Sequence, residues 1–213
     1  IGAQEIFKFL PHEFIQMDDL PKIAESGDMT KVYGCIVDAP DHLKRTDGGP
    51  FSFEHFGAHP ELYKSNFAEK VAPYASVIVN GIFWNTTDPR LLTMQQADKV
   101  LTPRPGRPTE PGVAWLPHRL IAISDVSADP EGSLEFIKIC TTADKPFFIY
   151  RSGAKDITDD MSTPDGVLVC SIENMPAQMA WESSRNFSDV LFPHIADMLA
   201  CDSGTPFDQL QAP

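Results

Sequence analysis

No stretch of this sequence is long and apolar enough to cross a bilayer. The longest uncharged, mostly apolar run, Ala75–Trp84, is about half of the ~20 residues that a spanning helix needs. Basic residues are scarce: 17 Lys and Arg stand against 30 Asp and Glu, which leaves a formal net charge of −13 with no Lys/Arg run. A surface of that sign repels phosphate backbones and anionic headgroups, so neither nucleic acid nor membrane is expected as a partner. Cysteine is sparse as well, with four residues (Cys35, Cys140, Cys170, Cys201) and no CxxC spacing. Cys35 and Cys170 fall inside apolar runs, which predicts buried free thiols in a reduced compartment. The patterns GxGxxG, P-loop, GxSxG and HExxH are all absent, and Gly48-Gly49 follows no strand at the distance a phosphate cradle requires. The chain opens on Ile1 without a targeting segment, and it reads as a piece of something longer.

At 213 residues the chain can bury one substantial core, in one domain or at most two. Short strands are expected at Glu13–Met17, Met29–Val37, Ala75–Val79, Leu120–Val126, Pro146–Tyr150 and Gly166–Ile172. Helices are expected over residues 2–10, from Leu20 to Glu25, after His59-Pro60 (with Leu62, Tyr63, Phe67 and Val71), over Thr93–Leu101, and from Pro176 to Ala200. Asp38–Pro60 loses periodicity and reads as a long loop, and Thr102–Pro117 as a proline-rich connector. Strands that are apolar throughout, alternating with helices, predict an α/β fold with a parallel sheet covered on both faces.

Ligands of such sheets sit at the carboxyl ends of strands. That rule selects three corners: Asn80-Gly81, Ser127-Ala128-Asp129, and Ser171-Ile172-Glu173-Asn174. At Asp125 and Asp129 the residues allow either a cap or turn, or a ligand contact; Glu173-Asn174 is similar. Phe83-Trp84 reads as a core or interface pair, and Thr141 as structural. His55 and His59 are spaced four apart with no convincing third ligand, so they read as surface histidines and no metal is expected. Asn85-Thr86-Thr87 and Asn186-Phe187-Ser188 match the glycosylation triplet, a pattern that arises often by chance.

The segments LIAISDVSADPEGSLEF (Leu120–Phe136), VIVNGIFWNTTDPRLLT (Val77–Thr93) and LVCSIENMPAQMAWESS (Leu168–Ser184) resemble the lysine-ketoglutarate reductases. These form one half of the bifunctional lysine-ketoglutarate reductase/saccharopine dehydrogenases of animals and plants. The likeness includes TKVYGCIV and the terminal DSGTPFDQLQAP, and it extends more distantly to the lysine-forming saccharopine dehydrogenases of fungi. The resemblance implies a doubly wound, mostly parallel, Rossmann-like sheet of the alanine dehydrogenase/saccharopine dehydrogenase type. It implies that residues 1–213 are a single nucleotide-binding domain fragment of a larger multidomain enzyme, lacking its first strand.

The implied reaction condenses lysine with 2-oxoglutarate and reduces the imine with NADPH to saccharopine. Lysine, 2-oxoglutarate, saccharopine and the rest of the same polypeptide are the partners so implied, with an oligomer possible. The family's catalytic Lys and His belong to a substrate domain outside this chain. By the same resemblance Ser127, Ala128 and Asp129 match a stretch that touches saccharopine, and Ile172, Glu173, Asn174 and Met175 one that lines the nicotinamide side. Glu173 stands where fungal relatives carry Asp. Asn80 and Gly81 are further coenzyme candidates. Gln16, ending the second strand without a carboxylate, is compatible with NADP. The implied compartment is the mitochondrial matrix in an animal and the cytosol in a plant. A noncatalytic Rossmann-like binding module and an alanine-dehydrogenase-like amino-acid dehydrogenase are the alternatives. In a doubly wound sheet the strands at Glu13–Met17 and Ala75–Val79 would face each other across an empty slot, filled by other residues or closed by direct pairing.

Overall fold

Short β-branched runs pair in parallel wherever a helix carries the chain back to the same end of the sheet. A computed structural model describes residues 2–103, 116–163, 165–201, 204–206 and 209. Most of the expected connector (104–115) and most of the DSGTPFDQLQAP segment lie outside the described residues. The chain divides into two units, Ile1–Glu173 and Asn174–Pro213.

In the first unit, helix α1 (Gly2–Phe7) leads into β1 (His12–Ile15), and α2 (Leu20–Ser26) into β2 (Val32–Cys35). The two strands pair in parallel, with Phe14 opposite Gly34. Phe7 packs on Phe14 at 5.4 Å between centroids, and a Cβ at Gly34 would meet the Phe7 ring at 2.9 Å. Glycine at that position lets the helix lie on the strand pair.

The expected loop Asp38–Pro60 is instead partly regular. It holds α3 (Ala39–His42), β3 (Leu43–Arg45) and α4 (Phe53–Ala58), and β3 pairs antiparallel with β4 (Tyr63–Ser65). The helix expected after His59-Pro60 is corrected accordingly. A single 3-10 turn, Pro60–Leu62, precedes β4, and only α5 (Phe67–Lys70) continues as helix. The buried Tyr63 explains this, since its ring lies 5.6 Å from Phe51 and 5.2 Å from Phe56. That aromatic packing, together with the ladder to β3, outweighs a marginal helical pattern.

The main sheet follows. It comprises β5 (Val77–Asn80), β6 (Ala122–Asp125), β7 (Phe148–Arg151), β8 (Asp156–Thr158) and β9 (Val167–Cys170), in the order β5-β6-β9-β7-β8. β5, β6 and β9 are mutually parallel, whereas β7 runs antiparallel to both β8 and β9. The sheet is therefore mixed, with β7 reversed relative to the other four strands. The β7–β8 hairpin was not legible because Asp156-Ile157-Thr158 is too short and polar to stand out. Gly166 makes the return into β9 possible: its φ is +123°, and a Cβ there would meet Ile149 and the Tyr150 carbonyl at 2.5 and 2.6 Å.

Helix α6 (Met94–Val100), capped by Thr93 whose Oγ1 accepts from the Gln96 N–H at 3.3 Å, packs with α5 and the sheet around one core. Phe136, Leu92, Leu120, Ile123, Leu134, Ile137, Val167 and Val169 are its largest fully buried apolar side chains. Coverage on both faces is not met at β5, where Val77 and Val79 are each 54% exposed. Among the described residues β5 is an edge strand paired with β6 alone and β1 is paired with β2 alone, so direct pairing of β1 with β5 is not adopted.

The second unit consists of a 3-10 turn, Met175–Met179, and the long helix α7 (Ala180–Ala200). Pro176 starts the turn, and Pro193 lies inside the helix, where it withholds one backbone donor.

Phe136 is 1% exposed and lies 4.8 Å from the Tyr150 ring. Phe136→Ala should therefore cost about 3–5 kcal/mol in a urea titration, whereas Val79→Thr on the exposed face of β5 should stay within about 0.5 kcal/mol.

Candidate functional site

Three adjacent parallel strands end in polar side chains that meet beneath the sheet's carboxyl edge. Asn80 ends β5, Asp125 ends β6 directly opposite it, and Ser171 follows β9. All three are buried, Asp125 at 2% exposure. The Asn80 amide donates to Asp125 Oδ1 at 2.8 Å and to Ser133 Oγ at 2.9 Å, and the Ser171 hydroxyl donates to Asp125 Oδ2 at 3.4 Å. Burial pushes the Asp125 carboxyl above its ordinary range, against donation from Asn80, Ser171 and the Ala128 N–H. Asp125 is thus an interior anchor and not a ligand contact. Thr141 is structural: its N–H donates to the Ser171 carbonyl at 2.7 Å and its Oγ1 accepts from the Ser171 N–H at 3.1 Å.

Above this network lies a cavity of about 410 Å³ lined by Gly81, Ile82, Phe83, Trp84, Val126, Ser127 and Asp129. Two of the three corners selected from the sequence are therefore brought together. The Ser127 hydroxyl donates to the Ile82 carbonyl at 2.9 Å, which commits its proton and leaves its lone pairs to the cavity. Ala128 adopts φ +50°, a conformation few side chains tolerate, and its carbonyl accepts from the Cys140 thiol at 3.0 Å. Burial raises the Cys140 pKa and keeps that thiol neutral. Asp129 is exposed at the cavity wall.

The Asp129 backbone continues into a tight turn, Asp129-Pro130-Glu131-Gly132. The Gly132 N–H returns to the Asp129 carbonyl at 3.0 Å, and Glu131 has φ +54°. Proline at the second position and a left-handed third residue make this a type II turn, whose third place glycine normally takes. Gly132 is needed for closeness: a Cβ there would stand 2.7 Å from that of Asp129.

The other expected residues fall elsewhere. Gln16 follows β1, its N–H donating to Asp19 Oδ2 at 3.2 Å, and it does not line this cavity. Ile172 bridges to Thr141, and the exposed Glu173 donates its N–H to the Thr141 carbonyl at 3.3 Å. Asn174 and Met175 open the second unit. Asn80 and Gly81 both sit at the strand edge, Asn80 beneath the cavity and Gly81 in its wall.

Phe83, expected in a core or interface pair, is 87% exposed, and Trp84 is a cavity wall. Sequence pattern missed that role because a solvent-facing aromatic and a packed one read alike. The histidines partner locally, His55 with the Tyr63 hydroxyl at 3.1 Å and His59 with Glu61 at 3.3 Å. All four cysteines are free, but Cys35, Cys140 and Cys170 are only half-buried and Cys201 is exposed. Among the described residues no helix is long and apolar enough to cross a membrane.

A mixed sheet flanked by helices, with buried polar residues and a cavity at its parallel strand ends, defines an α/β domain. This chain is homologous to one region of the alpha-aminoadipic semialdehyde synthases of animals and plants. It is 40% identical over 210 residues to "Alpha-aminoadipic semialdehyde synthase, mitochondrial" of Bos taurus. To the Mus musculus protein of the same name it is 39% identical over 209 residues. Each alignment covers 97% of this chain and 22% of the relative, so the chain spans about a fifth of the length of the curated relatives it matches. "Alpha-aminoadipic semialdehyde synthase" of Arabidopsis thaliana is 37% identical over 203 residues, 90% of this chain and 18% of that protein. The animal relatives carry "mitochondrial" in their names. No protein-family model matches the chain.

The raised Asp125 pKa predicts a pH signature. Just above its ordinary value of 3.8 the folded chain keeps a proton that the unfolded chain has released. Asp125's contribution to stability is therefore full below pH 3.8 and lost as pH rises through the raised value. Asp125→Asn removes this linkage and turns an amide toward donors, costing about 1–3 kcal/mol. Urea titrations across pH should show the wild-type advantage over Asp125→Asn shrinking from acid to neutral pH; an advantage that grew instead would contradict a desolvated carboxyl.

Proposed function

We propose that this chain is the coenzyme-binding part of a lysine-ketoglutarate reductase, which condenses L-lysine with 2-oxoglutarate and reduces the imine with NADPH to saccharopine in lysine catabolism. The observation that carries the reading is the cavity at the carboxyl ends of β5 and β6. Its walls include Gly81, Ser127 and Asp129, in a chain homologous throughout to alpha-aminoadipic semialdehyde synthases. Strand order supports a doubly wound, Rossmann-like sheet. The parallel pair β1-β2 and the parallel run β5-β6-β9, in separate sheets, are pieces that such an order would contain.

The residues fit one end of a coenzyme beside an amino-acid substrate. The cavity volume lies at the small end of the range for ligand pockets. Next to Gly81 the buried Asn80 Oδ1 has no donor among the described residues, leaving an acceptor free at the strand end. Gln16, Asn80, Gly81, Ile172, Glu173, Asn174 and Met175 are the residues assigned to NADP(H), which when bound supplies the hydride.

The chain's own residues supply position. Asp129, exposed and held by its turn, is suited to receive an ammonium group of lysine or saccharopine. Ser127, its proton committed to Ile82, presents acceptor lone pairs to the same group. Ala128 adds little bulk, so ligand atoms can approach the backbone. Phe83, Trp84, Ile82 and Val126 give the aliphatic chain an apolar wall. Asp125 keeps its carboxylate turned inward, so one acidic group faces the cavity and not two.

The longest native polypeptide carrying this chain should oxidise NADPH only when lysine and 2-oxoglutarate are both present; no such oxidation would overturn the reading. In it, Asp129→Ala should raise the KM for lysine by about 10-fold to 150-fold and leave that for NADPH nearly unchanged, as expected for one charge-assisted hydrogen bond. Calorimetric titration should find NADPH bound more weakly by the 213-residue chain than by that polypeptide.

A further inference from the structure

The loops that follow β5 and β6 form opposite walls of the strand-edge cavity, and one side chain reaches both. Arg90, on the first loop, donates from Nη1 to the Glu131 carbonyl at 2.7 Å and to the Gly132 carbonyl at 3.3 Å on the second. Its guanidinium lies over the Trp84 ring, 5.2 Å from the centroid, and 3.8 Å from Glu135 Oε1. Trp84 is fixed from its other end, its indole N–H donating to the Asp88 carbonyl at 3.2 Å. Glu135 is fixed too, accepting from the Met94 N–H at 2.7 Å. The two carbonyls that Arg90 holds belong to the turn that begins at Asp129, and one of them is that of Glu131, which sits at φ +54° where glycine is preferred.

We propose that Arg90 is a positioning residue, a latch that sets the distance between the Trp84 wall and the Asp129 carboxylate and so the selectivity of the cavity for its amino-acid ligand. A planar guanidinium can stack on an indole face while its edge donates to carbonyls; an ammonium is a point charge and cannot do both. Releasing the latch frees Trp84 to swing and lets the left-handed Glu131 relax, which moves Asp129 through the Gly132 N–H bond to its carbonyl. The effect falls on the amino-acid side, because the polar partners of Arg90 are Glu131, Gly132 and Glu135, beside the Trp84 ring, and not Asn80 or Ile172. The proposal rests on reading the cavity as the amino-acid side of a reductase site, and the test separates the two.

Arg90→Lys and Arg90→Ala are made in the longest native polypeptide carrying this chain, the lysine variant keeping charge and fold if the alanine variant fails to fold. The first readout is acrylamide quenching of Trp84 fluorescence with all other tryptophans, including Trp115 and Trp181, replaced by phenylalanine, which needs no activity. The second is the KM for lysine beside that for NADPH. Both substitutions are expected to raise quenching and to raise the lysine KM about ten-fold or more, with the NADPH KM within about two-fold. Unchanged quenching, an unchanged lysine KM, or both KM values rising together overturns the latch. Absence of lysine-dependent oxidation in the unsubstituted protein overturns the reductase reading instead, and quenching alone then decides the latch.

Discussion

A carboxylate taken out of water must find donors, and where Asp125 finds them decides how the rest of the first unit is arranged. Its oxygens are served by Asn80 from one neighbouring strand and by Ser171 from beyond the other. Because the strands are parallel, all three residues arrive at the same end of the sheet. An apolar replacement would fill the space without tying three strand ends to one another. The network fixes where each loop leaves the sheet, and Ser133, returning to Asn80, pins the loop after β6 a second time.

The loops inherit that order. Leu91 and Leu92 donate to the Ser133 carbonyl, and Leu92 pairs with Leu134, so the segments after β5 and β6 run together before α6 begins. The cavity is the gap left between two loops joined at both ends. Its polar side is made by Ser127 and Asp129 and its apolar side by Ile82, Phe83, Trp84 and Val126.

Much of this was legible in the sequence, for physical reasons that differ by element. The runs at Ala75–Val79, Leu120–Val126 and Gly166–Ile172 stood out because central parallel strands are apolar and β-branched, and the rule that ligands gather at carboxyl ends then selected Gly81, Ser127 and Asp129. The turn at Asp129-Pro130 announced itself by proline. The β3–β4 hairpin did not, since its strands are three residues each and owe their existence to Tyr63, Phe51 and Phe56, which are distant in pattern. Asp125 could not be told from Asp129 by type or spacing, and only burial separates the interior anchor from the exposed residue of the cavity wall. Arg90 carries no signal of its role, because the two carbonyls it holds lie 41 and 42 residues away and carbonyls leave no mark in a sequence.

The outward valines of β5 have a consequence for the chain's behaviour as a colloid. Val77 and Val79 lie on a strand that is at the sheet's edge among the described residues, and such an edge can template the addition of another strand. What opposes such association is the net charge of −13, which keeps copies apart at low ionic strength. That protection acts through solvent and shrinks with the Debye length, to about 3 Å at 1 M salt. Concentrated salt therefore removes the barrier to self-association well before it weakens any contact inside the fold.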